Sequence, residues 1–320
     1  MRVQVAREFG GPEALTLEQW PDPSPGPGEV LVQVEAAGVN FMDVVQRRGG
    51  LGGRAPLVPG AEGAGRVLAT GEGVRAWRFG DRVAWHSVPG SYADRVVAPA
   101  DALVPVPADL PSERAAAVIL QGMTAQGLIA VTSPFLPGDW ALVHAAASGV
   151  GHLLVQLLKA VDARVVGTVS SEARARAARE AGVDAAIVYG DRGFADEVRR
   201  LTGGEGAAVA YDGAGRGTLA ESLRAVRPGG RVVTYGGASE APEPTALADL
   251  PPGVFAGRFV VGAHYDTPER NRAGAAKLFT AVLAGRLRVA LSDRYALADA
   301  GSAHAALESR ANTGKAVLVP

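Results

Sequence analysis

The chain has 320 residues, of which 48% are hydrophobic and 20% are charged, and its net charge is −1. This length predicts about two domains, and the composition excludes intrinsic disorder and gives no electrostatic reason to bind nucleic acid or an anionic membrane. The absence of cysteine excludes disulfides, thiolate nucleophiles and zinc sites that need sulfur ligands.

The amino-terminal third reads as short β-strands separated by Gly and Pro. Examples are "MRVQVAREF", "EVLVQVEAAGV" and "DRVAWHS", a pattern that predicts a small, mostly antiparallel barrel. The chain begins with an alternating strand instead of a charged segment followed by an apolar one, and no run of about 18 apolar residues occurs. We therefore expect a soluble cytoplasmic protein.

From Leu110 the pattern becomes helical, and strands then alternate with helices. Six apolar strands are predicted at 140–146, 163–171, 185–190, 207–215, 230–237 and 258–265. Amphipathic helices are predicted between them at 150–160, 172–181, 193–202 and 217–227. This alternation is typical of a parallel sheet covered on both faces, which is a doubly wound domain.

After Asp266 a predicted helix, 268–285, leads to a segment that returns to strand and helix. We expect this tail to fold back onto the amino-terminal barrel. The predicted domains are therefore 1–119 together with 266–320, and 120–265 as the parallel-sheet domain.

The turn after the first parallel strand reads "AAASGVG", 145–151. In a dinucleotide-binding turn, three glycines allow a tight bend, close approach of the pyrophosphate and close helix packing. Here the three positions hold Ala146, Ser148 and Gly151. Ala and Ser are small, and helix N–H groups bind the anion whatever the side chains are. A close-packed turn without a ligand is the alternative.

The next predicted strand ends about 20 residues later at Ser170 and Ser171, where an NAD site usually carries Asp or Glu. Arg174 follows in the first turn of the helix. Hydroxyls and a cation suit a 2′-phosphate, so the sequence favours NADPH over NADH. The alternative is that Arg174 is an ordinary exposed helix residue, and Glu172 would repel a phosphate unless it points outward.

With these motifs in place, the chain resembles, from end to end, the zinc-free quinone oxidoreductase (zeta-crystallin-like) group of the medium-chain dehydrogenase/reductase superfamily. The resemblance rests on segments in a fixed order, which are "AAGVNFMDVVQRRG", "PGAEGAGRV", "GDRVAW", "GSYADRVVAPADALVPVPADL", "AAAVILQGMTAQGLI", "VHAAASGVG", "YDGAG", "RPGGRVV" and "ESRANTGKAVLVP". It implies an α/β fold: a GroES-like, mostly antiparallel β-barrel domain plus a doubly wound parallel-sheet (Rossmann) domain.

Zinc-dependent relatives hold catalytic zinc through a Cys near the position of Asn40 and a His in a Gly-His-Glu motif. This chain has Asn40 and Gly60-Ala61-Glu62 there. Since zinc needs about four N, S or O ligands, we do not expect a zinc alcohol dehydrogenase mechanism.

The resemblance also implies roles for single residues. Asn40 and Thr124 are expected near the nicotinamide, and as the catalytic residues. The other expected cofactor contacts are Ser148, Gly149 and Val150 at the pyrophosphate, Ser170, Arg174, Tyr189 and Arg310 at the adenosine phosphate, Gly213 and Gly236 at strand ends that leave room for the cofactor, and His264 after the last strand. Val45 and Leu51 stand where well-studied members often have tyrosines, so the acceptor is less defined than the cofactor.

Several of these polar residues have simpler interpretations. Asn40 caps a turn, Asp212 orients its loop, and His144 is a satisfied core histidine. His86 is either a structural residue or a proton donor.

Without a metal or an acid–base triad, the acceptor must already be electrophilic, which fits quinones and α,β-unsaturated carbonyls reduced by NADPH. One alternative is reduction of a double bond in an enoyl thioester or alkenal, with Arg47 and Arg48 as candidates for a basic rim. Another is a non-catalytic, crystallin-like NADPH-binding protein. Pairing of the apolar strand 258–265 predicts a homodimer or homotetramer.

Overall fold

A computed structural model describes residues 1–189, 193–236, 245–309 and 314–320. The chain divides into two compact units, Met1–Met123 with Tyr265–Pro320, and Thr124–His264. The domain limits expected from the sequence, at 119/120 and 265/266, stay a prediction.

The amino-terminal part of the first unit consists mainly of strands. They are β1 (Arg2–Ala6), β2 (Leu15–Gln19), β3 (Glu29–Gly38), β4 (Glu62–Thr70), β5 (Arg82–His86), β6 (Arg95–Pro99) and β7 (Val104–Pro105). The helix α1 (Phe41–Arg47) accompanies them, and α2 (Ser112–Thr132) begins in this unit and ends beyond Met123. Asn40 is the N-cap residue of α1, as its simpler interpretation proposed.

The second unit alternates strand and helix along the chain. Its elements are β8 (Trp140–His144), α3 (Gly149–Lys159), β9 (Arg164–Val169), α4 (Glu172–Ala181), β10 (Ala185–Val188), α5 (Ala195–Leu201), β11 (Ala207–Asp212), α6 (Leu219–Ala225), β12 (Val226–Thr234), β13 (Phe255–Arg258) and α7 (Val261–His264). The strands form a parallel sheet in the order β10-β9-β8-β11-β12-β13. This order confirms the predicted doubly wound topology.

The prediction of a sixth strand at 258–265 is wrong. The strand is β13, which ends at Arg258, and the next residues form α7. The Val260 carbonyl accepts hydrogen bonds from the N–H groups of Ala263 and His264, both at 3.1 Å, which turns the chain into a helix. A short apolar run does not distinguish a strand from a helix, because both bury it.

The carboxyl-terminal part returns to the first unit with α8 (Pro268–Leu283), β14 (Leu291–Ala296), α9 (Ala300–Glu308) and β15 (Lys315–Val319). β15 pairs antiparallel with β3, which confirms that the tail folds back onto the barrel sheet. The sheet order is β14-β15-β3-β4-β5-β7, and β6 also pairs with β3.

Each unit has its own apolar core. In the first unit it surrounds Val32, Trp85 and Leu318, and in the second it surrounds Leu142, Val166 and Val232. Within the described part of the chain, α2 is the one helix long and apolar enough to cross a membrane, and 72% of its apolar window is buried inside the protein. It is therefore a core helix.

Candidate functional site

The turn between β8 and α3 contains the N-terminus of α3 and is half-buried. Ser148 is the N-cap residue of α3, and its backbone N–H donates to the Ala145 carbonyl at 2.7 Å. Gly149 and Val150 form the first helical turn, where backbone N–H groups have no partner within a helix. A Cβ on Gly151 would lie 2.3 Å from the Ala145 carbonyl oxygen, so only glycine fits the third fingerprint position.

The alanine at the first fingerprint position is accommodated by a neighbouring strand. A Cβ on Gly167, in the middle of β9, would lie 2.7 Å from the Ala146 Cβ. The missing glycine of the turn is thus compensated by a glycine opposite it. Sequence reasoning missed this pair, although a glycine within a strand signals close approach of another backbone.

The residues expected at the adenosine phosphate come together at the end of β9. The Ser171 hydroxyl caps α4 by accepting the Arg174 N–H at 3.4 Å, and the Tyr189 N–H donates to the Val169 carbonyl at 3.1 Å. Ser170 lies between Val169 and Ser171, so its backbone is close to the backbones of Tyr189 and Arg174. Glu172 is 72% exposed with its carboxylate 4.0 Å from Arg179, so it points outward, as a phosphate site requires.

Three other residues that are expected to contact the cofactor, Gly213, Gly236 and His264, also have close neighbours within the protein. A Cβ on Gly213 would lie 2.7 Å from the Tyr235 ring, which gives this glycine a packing reason of its own, and its expected place beside the cofactor stays a prediction. A Cβ on Gly236 would lie 3.1 Å from the Gly213 carbonyl oxygen. His264 ends α7 with its ring 5.4 Å from that of Phe259.

Thr124 is buried in α2. Arg310 lies outside the described residues, and its expected role stays a prediction.

Asp212, at the end of β11, holds the loop that follows it. Its buried carboxylate accepts the N–H groups of Ala214 and Gly215, both at 3.0 Å, and the hydroxyls of Thr218 and Ser222 at 2.8 and 3.1 Å. These bonds confirm that Asp212 orients its loop.

The buried ring of His144 has both nitrogens bonded, to Thr168 and to Ser222, each at 2.8 Å. Burial lowers the pKa of His144 against the raising effect of the Asp212 charge, so the ring stays neutral. His144 is confirmed as a satisfied core histidine.

The first unit contains a buried cluster of Asn40, Glu62 and Lys315. The Lys315 ammonium lies 2.6 Å from both Asn40 Oδ1 and Glu62 Oε2, and Asn40 Nδ2 donates to Glu62 Oε2 at 2.5 Å. An ammonium only donates hydrogen bonds, so the Asn40 atom beside it must be the oxygen. The orientation of the Asn40 carboxamide is therefore determined by its neighbours.

Two residues of α2 complete this cluster. The Leu120 N–H donates to Glu62 Oε1 at 3.1 Å, and Gln121 Nε2 donates to Asn40 Oδ1 at 3.2 Å. A Cβ on Gly38 would lie 2.5 Å from the Glu62 carboxyl carbon, so glycine is needed there to admit the carboxylate.

Sequence reasoning missed Lys315. Its signal was rarity, because Lys occurs only at 159, 277 and 315 in a chain whose basic residues are otherwise Arg.

A second buried group begins at Asp43, on the first turn of α1. Its carboxylate accepts the Asn40 N–H at 2.8 Å and the Tyr92 hydroxyl at 3.0 Å. Burial raises the pKa of Asp43 to about 7, although the Asn40 N–H and the Lys315 charge oppose the rise. Asp43 therefore titrates near neutral pH.

His304 connects this group to α9. Its Nδ1 accepts from the Arg47 guanidinium at 3.3 Å, so its Nε2 carries the proton that faces the Tyr92 oxygen at 3.1 Å. Burial, and then the Arg47 charge, lower the pKa of His304 to about 3.

Arg47 itself is fully buried and paired with Glu308, which also pairs with Arg48. Arg47, a candidate for the basic rim of the enoyl-thioester alternative, therefore cannot form part of such a rim.

His86 is buried as well. Its Nε2 lies 3.0 Å from Asn271 Oδ1 and its Nδ1 3.2 Å from the Ser87 hydroxyl, and burial lowers its pKa. Both ring nitrogens have protein partners, which favours the structural interpretation over the proton donor.

Comparison with known proteins matches two parts of the chain to two families. Residues 26–108 match the alcohol dehydrogenase GroES-like domain family, and residues 149–281 match the zinc-binding dehydrogenase family. The chain is 39% identical to a quinone oxidoreductase from Pseudomonas aeruginosa, covering 100% of this chain and 99% of that protein. It is 38% identical to a 2-haloacrylate reductase from a Burkholderia species, covering 99% and 98%. The structure of Escherichia coli quinone oxidoreductase complexed with NADPH is 32% identical, covers 100% of both chains and has a TM-score of 0.96.

The description of one matched family raises the question of whether zinc fits this chain. Ala61 has no ligand atom, and the Lys315 ammonium already holds the oxygens of Asn40 and Glu62. A second cation beside it would be repelled. Across the described ranges, His, Cys, Asp and Glu side chains do not gather in threes as a metal site. These residues therefore do not fit a zinc ion.

Proposed function

This chain belongs to the zinc-free quinone oxidoreductase group of the medium-chain dehydrogenase/reductase superfamily, and we propose that it uses NADPH to reduce quinones and related α,β-unsaturated carbonyls. The observation that carries this proposal is the end-to-end similarity to enzymes named quinone oxidoreductase, one of them in complex with NADPH.

The second unit suits this cofactor. When bound, NADPH supplies a hydride to the acceptor. The proposed pyrophosphate contacts are the Ser148 hydroxyl and the N–H groups of Gly149 and Val150, since a helix N-terminus favours negative charge. Ser170, Arg174 and Tyr189 are the proposed contacts of the 2′-phosphate, because a guanidinium fork matches phosphate oxygens.

The acceptor we propose is electron-poor before it binds. Addition of the hydride places negative charge on the acceptor's carbonyl oxygen, and a proton from water then adds to that oxygen or, for an enone, to the α-carbon of the enolate. Such a reaction needs a fixed hydrogen-bond donor for the oxygen and no strong acid or base. The buried, mostly neutralised polar groups of the first unit are consistent with that requirement.

A second candidate is reduction of the carbon–carbon double bond of a short unsaturated carboxylate. It is favoured by the similarity to a protein named 2-haloacrylate reductase. The enoyl-thioester alternative has less support, because Arg47 is buried and Arg48 is paired with Glu308.

The test of the acceptor is NADPH oxidation followed by absorbance with 1,4-benzoquinone, methyl vinyl ketone, 2-chloroacrylate and crotonyl-CoA. We expect turnover with the quinone and the enone. Turnover confined to 2-chloroacrylate would establish the second candidate. Cofactor binding with no turnover on any of the four would leave the non-catalytic alternative.

The test of the cofactor uses Arg174→Ala, with Arg179→Ala as the matched control on the same helix. Loss of charge-assisted bonds to a phosphate weakens binding by about 10- to 100-fold. We expect this loss for NADPH and not for NADH, and only in Arg174→Ala. Equal loss for both cofactors would contradict the phosphate role.

We further propose a cytoplasmic homodimer or homotetramer. With the sixth strand corrected, the edge available for pairing is β13, whose residues are all exposed, with Phe255 64% exposed. Light scattering of Phe255→Arg against the wild type tests this assembly, and an unchanged mass would argue against the β13 edge.

A further inference from the structure

We infer that Lys315, Glu62 and Gln121 are positioning residues that fix the Asn40 carboxamide as a hydrogen-bond donor for the carbonyl oxygen of the acceptor. This inference rests on the proposed function, because it names what one residue of that site does.

The first step is the bonding capacity of Asn40. Its Oδ1 has two lone pairs, and both are taken, by Lys315 at 2.6 Å and by Gln121 at 3.2 Å. One hydrogen of its Nδ2 goes to Glu62 at 2.5 Å. The other faces the Gly38 carbonyl at 3.5 Å, the outer limit of a hydrogen bond. The capacity left for a ligand is therefore one N–H donor and no acceptor.

The second step is electrostatic. Glu62 and Lys315 are both buried and of opposite charge, so the pair holds Asn40 in place and adds no net charge of its own. A cation on Oδ1 draws electron density from the amide and strengthens its N–H groups as donors. A donor fixed before the reaction stabilises a developing oxyanion without reorganisation.

The third step concerns what else the cluster does. A buried ion pair contributes little stability compared with apolar side chains of similar volume. Stability alone therefore does not account for three polar partners around one carboxamide. Their common effect is to set which end of Asn40 remains free.

The experiment exchanges the two functional groups in the variant Asn40→Asp/Glu62→Gln. This swap keeps the volumes, the net charge and an ion pair with Lys315, and it removes the N–H at position 40. Asn40→Ala is the second variant, because it removes the donor and leaves the Glu62–Lys315 pair in place. If the swap does not fold, the same measurements on Asn40→Ala decide whether Asn40 is the donor.

Three quantities are measured: the Kd of NADPH, the kcat and KM with 1,4-benzoquinone, and the Kd of 4-nitrophenolate with NADP⁺ present. The phenolate presents an oxyanion that does not react. We expect an NADPH Kd within about twofold of the wild type, kcat lower by about a hundredfold with a smaller change in KM, and phenolate binding about tenfold weaker.

The variant Lys315→Met/Glu62→Gln tests positioning itself, because it keeps Asn40 and removes the pair that orients it. We expect phenolate binding and kcat between those of the wild type and of the swap. Values equal to the wild type would overturn the positioning role.

Unchanged phenolate affinity in the swap would overturn the inference whatever happens to kcat. A loss of NADPH affinity would also overturn it, since the donor would then serve the cofactor. Weaker phenolate binding in a protein whose wild type reduces no quinone or enone would support the donor and reject the proposed function.

Discussion

Each unit of this protein buries a carboxylate, and the two units neutralise it differently. In the first unit, Glu62 is balanced by the full charge of Lys315 at 2.6 Å. In the second, Asp212 is surrounded by two backbone N–H groups and two hydroxyls, all of them neutral. An ion pair concentrates the stabilisation in one partner, whereas four dipoles share it. The two sites should therefore respond differently when a single partner is removed.

The largest effect is expected for Lys315→Met, which leaves Glu62 as an unpaired charge in the core. Breaking a buried pair in this way costs about 3–5 kcal/mol of unfolding free energy. The double variant Lys315→Met/Glu62→Gln removes both charges and should recover most of that loss. Urea denaturation measures both, and a double variant as unstable as the single one would show that charge imbalance is not the cause.

The next effect concerns pH and two buried groups of the first unit. Asp43 has a folded pKa of about 7 against 3.8, so its protonated form favours the fold and this stabilisation is lost as pH rises through about 7. His304 has a folded pKa of about 3 against 6.5, so its contribution is present above 6.5 and lost as pH falls. Between pH 4 and 6.5 the two groups therefore change the free energy of unfolding in opposite directions, each by up to about 1.4 kcal/mol per pH unit.

A variant that lacks one of the two groups shows the pH dependence of unfolding that the other group causes. Relative to the wild type, Asp43→Asn should gain stability as pH rises from 4 to 7, because the penalty for a buried carboxylate is removed. His304→Gln should gain relative stability as pH falls over the same range. The measurement is the free energy of unfolding by urea at each pH. If this free energy changed with pH in the variants as it does in the wild type, the opposite effects of Asp43 and His304 would be disproved.

The third prediction uses the glycine that admits Glu62. In Gly38→Ala the added methyl would lie 2.5 Å from the carboxyl carbon, so Glu62 must shift away from Lys315. Overpacking of this kind costs about 1–3 kcal/mol. The control is Gly257→Ala in β13, where an added Cβ has open space around it. Thermal unfolding compares the two, and equal melting temperatures would mean that Glu62 moves freely.

The contrast between the two carboxylates also explains what the sequence could predict. The partners of Asp212 lie 2, 3, 6 and 10 residues along the chain, within one strand–loop–helix unit. Its role was therefore predictable from local pattern. The partners of Glu62 lie 22, 58 and 253 residues away. No local periodicity carries such pairs, so Lys315 remained hidden although its motif was noted for family resemblance.

The same distinction holds for the fold. The parallel strands and their helices were predictable, because each has its own apolar periodicity. The error at 258–265 arose because a short apolar run fits a strand and a helix equally well. Most of this run follows β13 and includes α7. The compensation between Ala146 and Gly167 joins a turn and a strand through contact alone. The apolar periodicity of the sequence thus predicts helices and strands. Only the contacts between distant segments show how a departure from a motif is tolerated.

The smallest effect is expected for Asp212→Asn, and it is the counterpart of Lys315→Met. The Asn oxygen has two lone pairs, so it can keep the bonds from Ala214 and Gly215, and Thr218 can donate to the Gly215 carbonyl at 3.1 Å instead. Ser222 can then donate only to the Thr218 carbonyl, at 2.8 Å, and accept from the new amide. One charge-assisted set becomes neutral while each of the four donors that Asp212 now binds keeps an acceptor, a cost of about 1 kcal/mol. A loss in urea denaturation as large as that of Lys315→Met would show that the Asp212 charge, and not the shared dipoles, holds the loop.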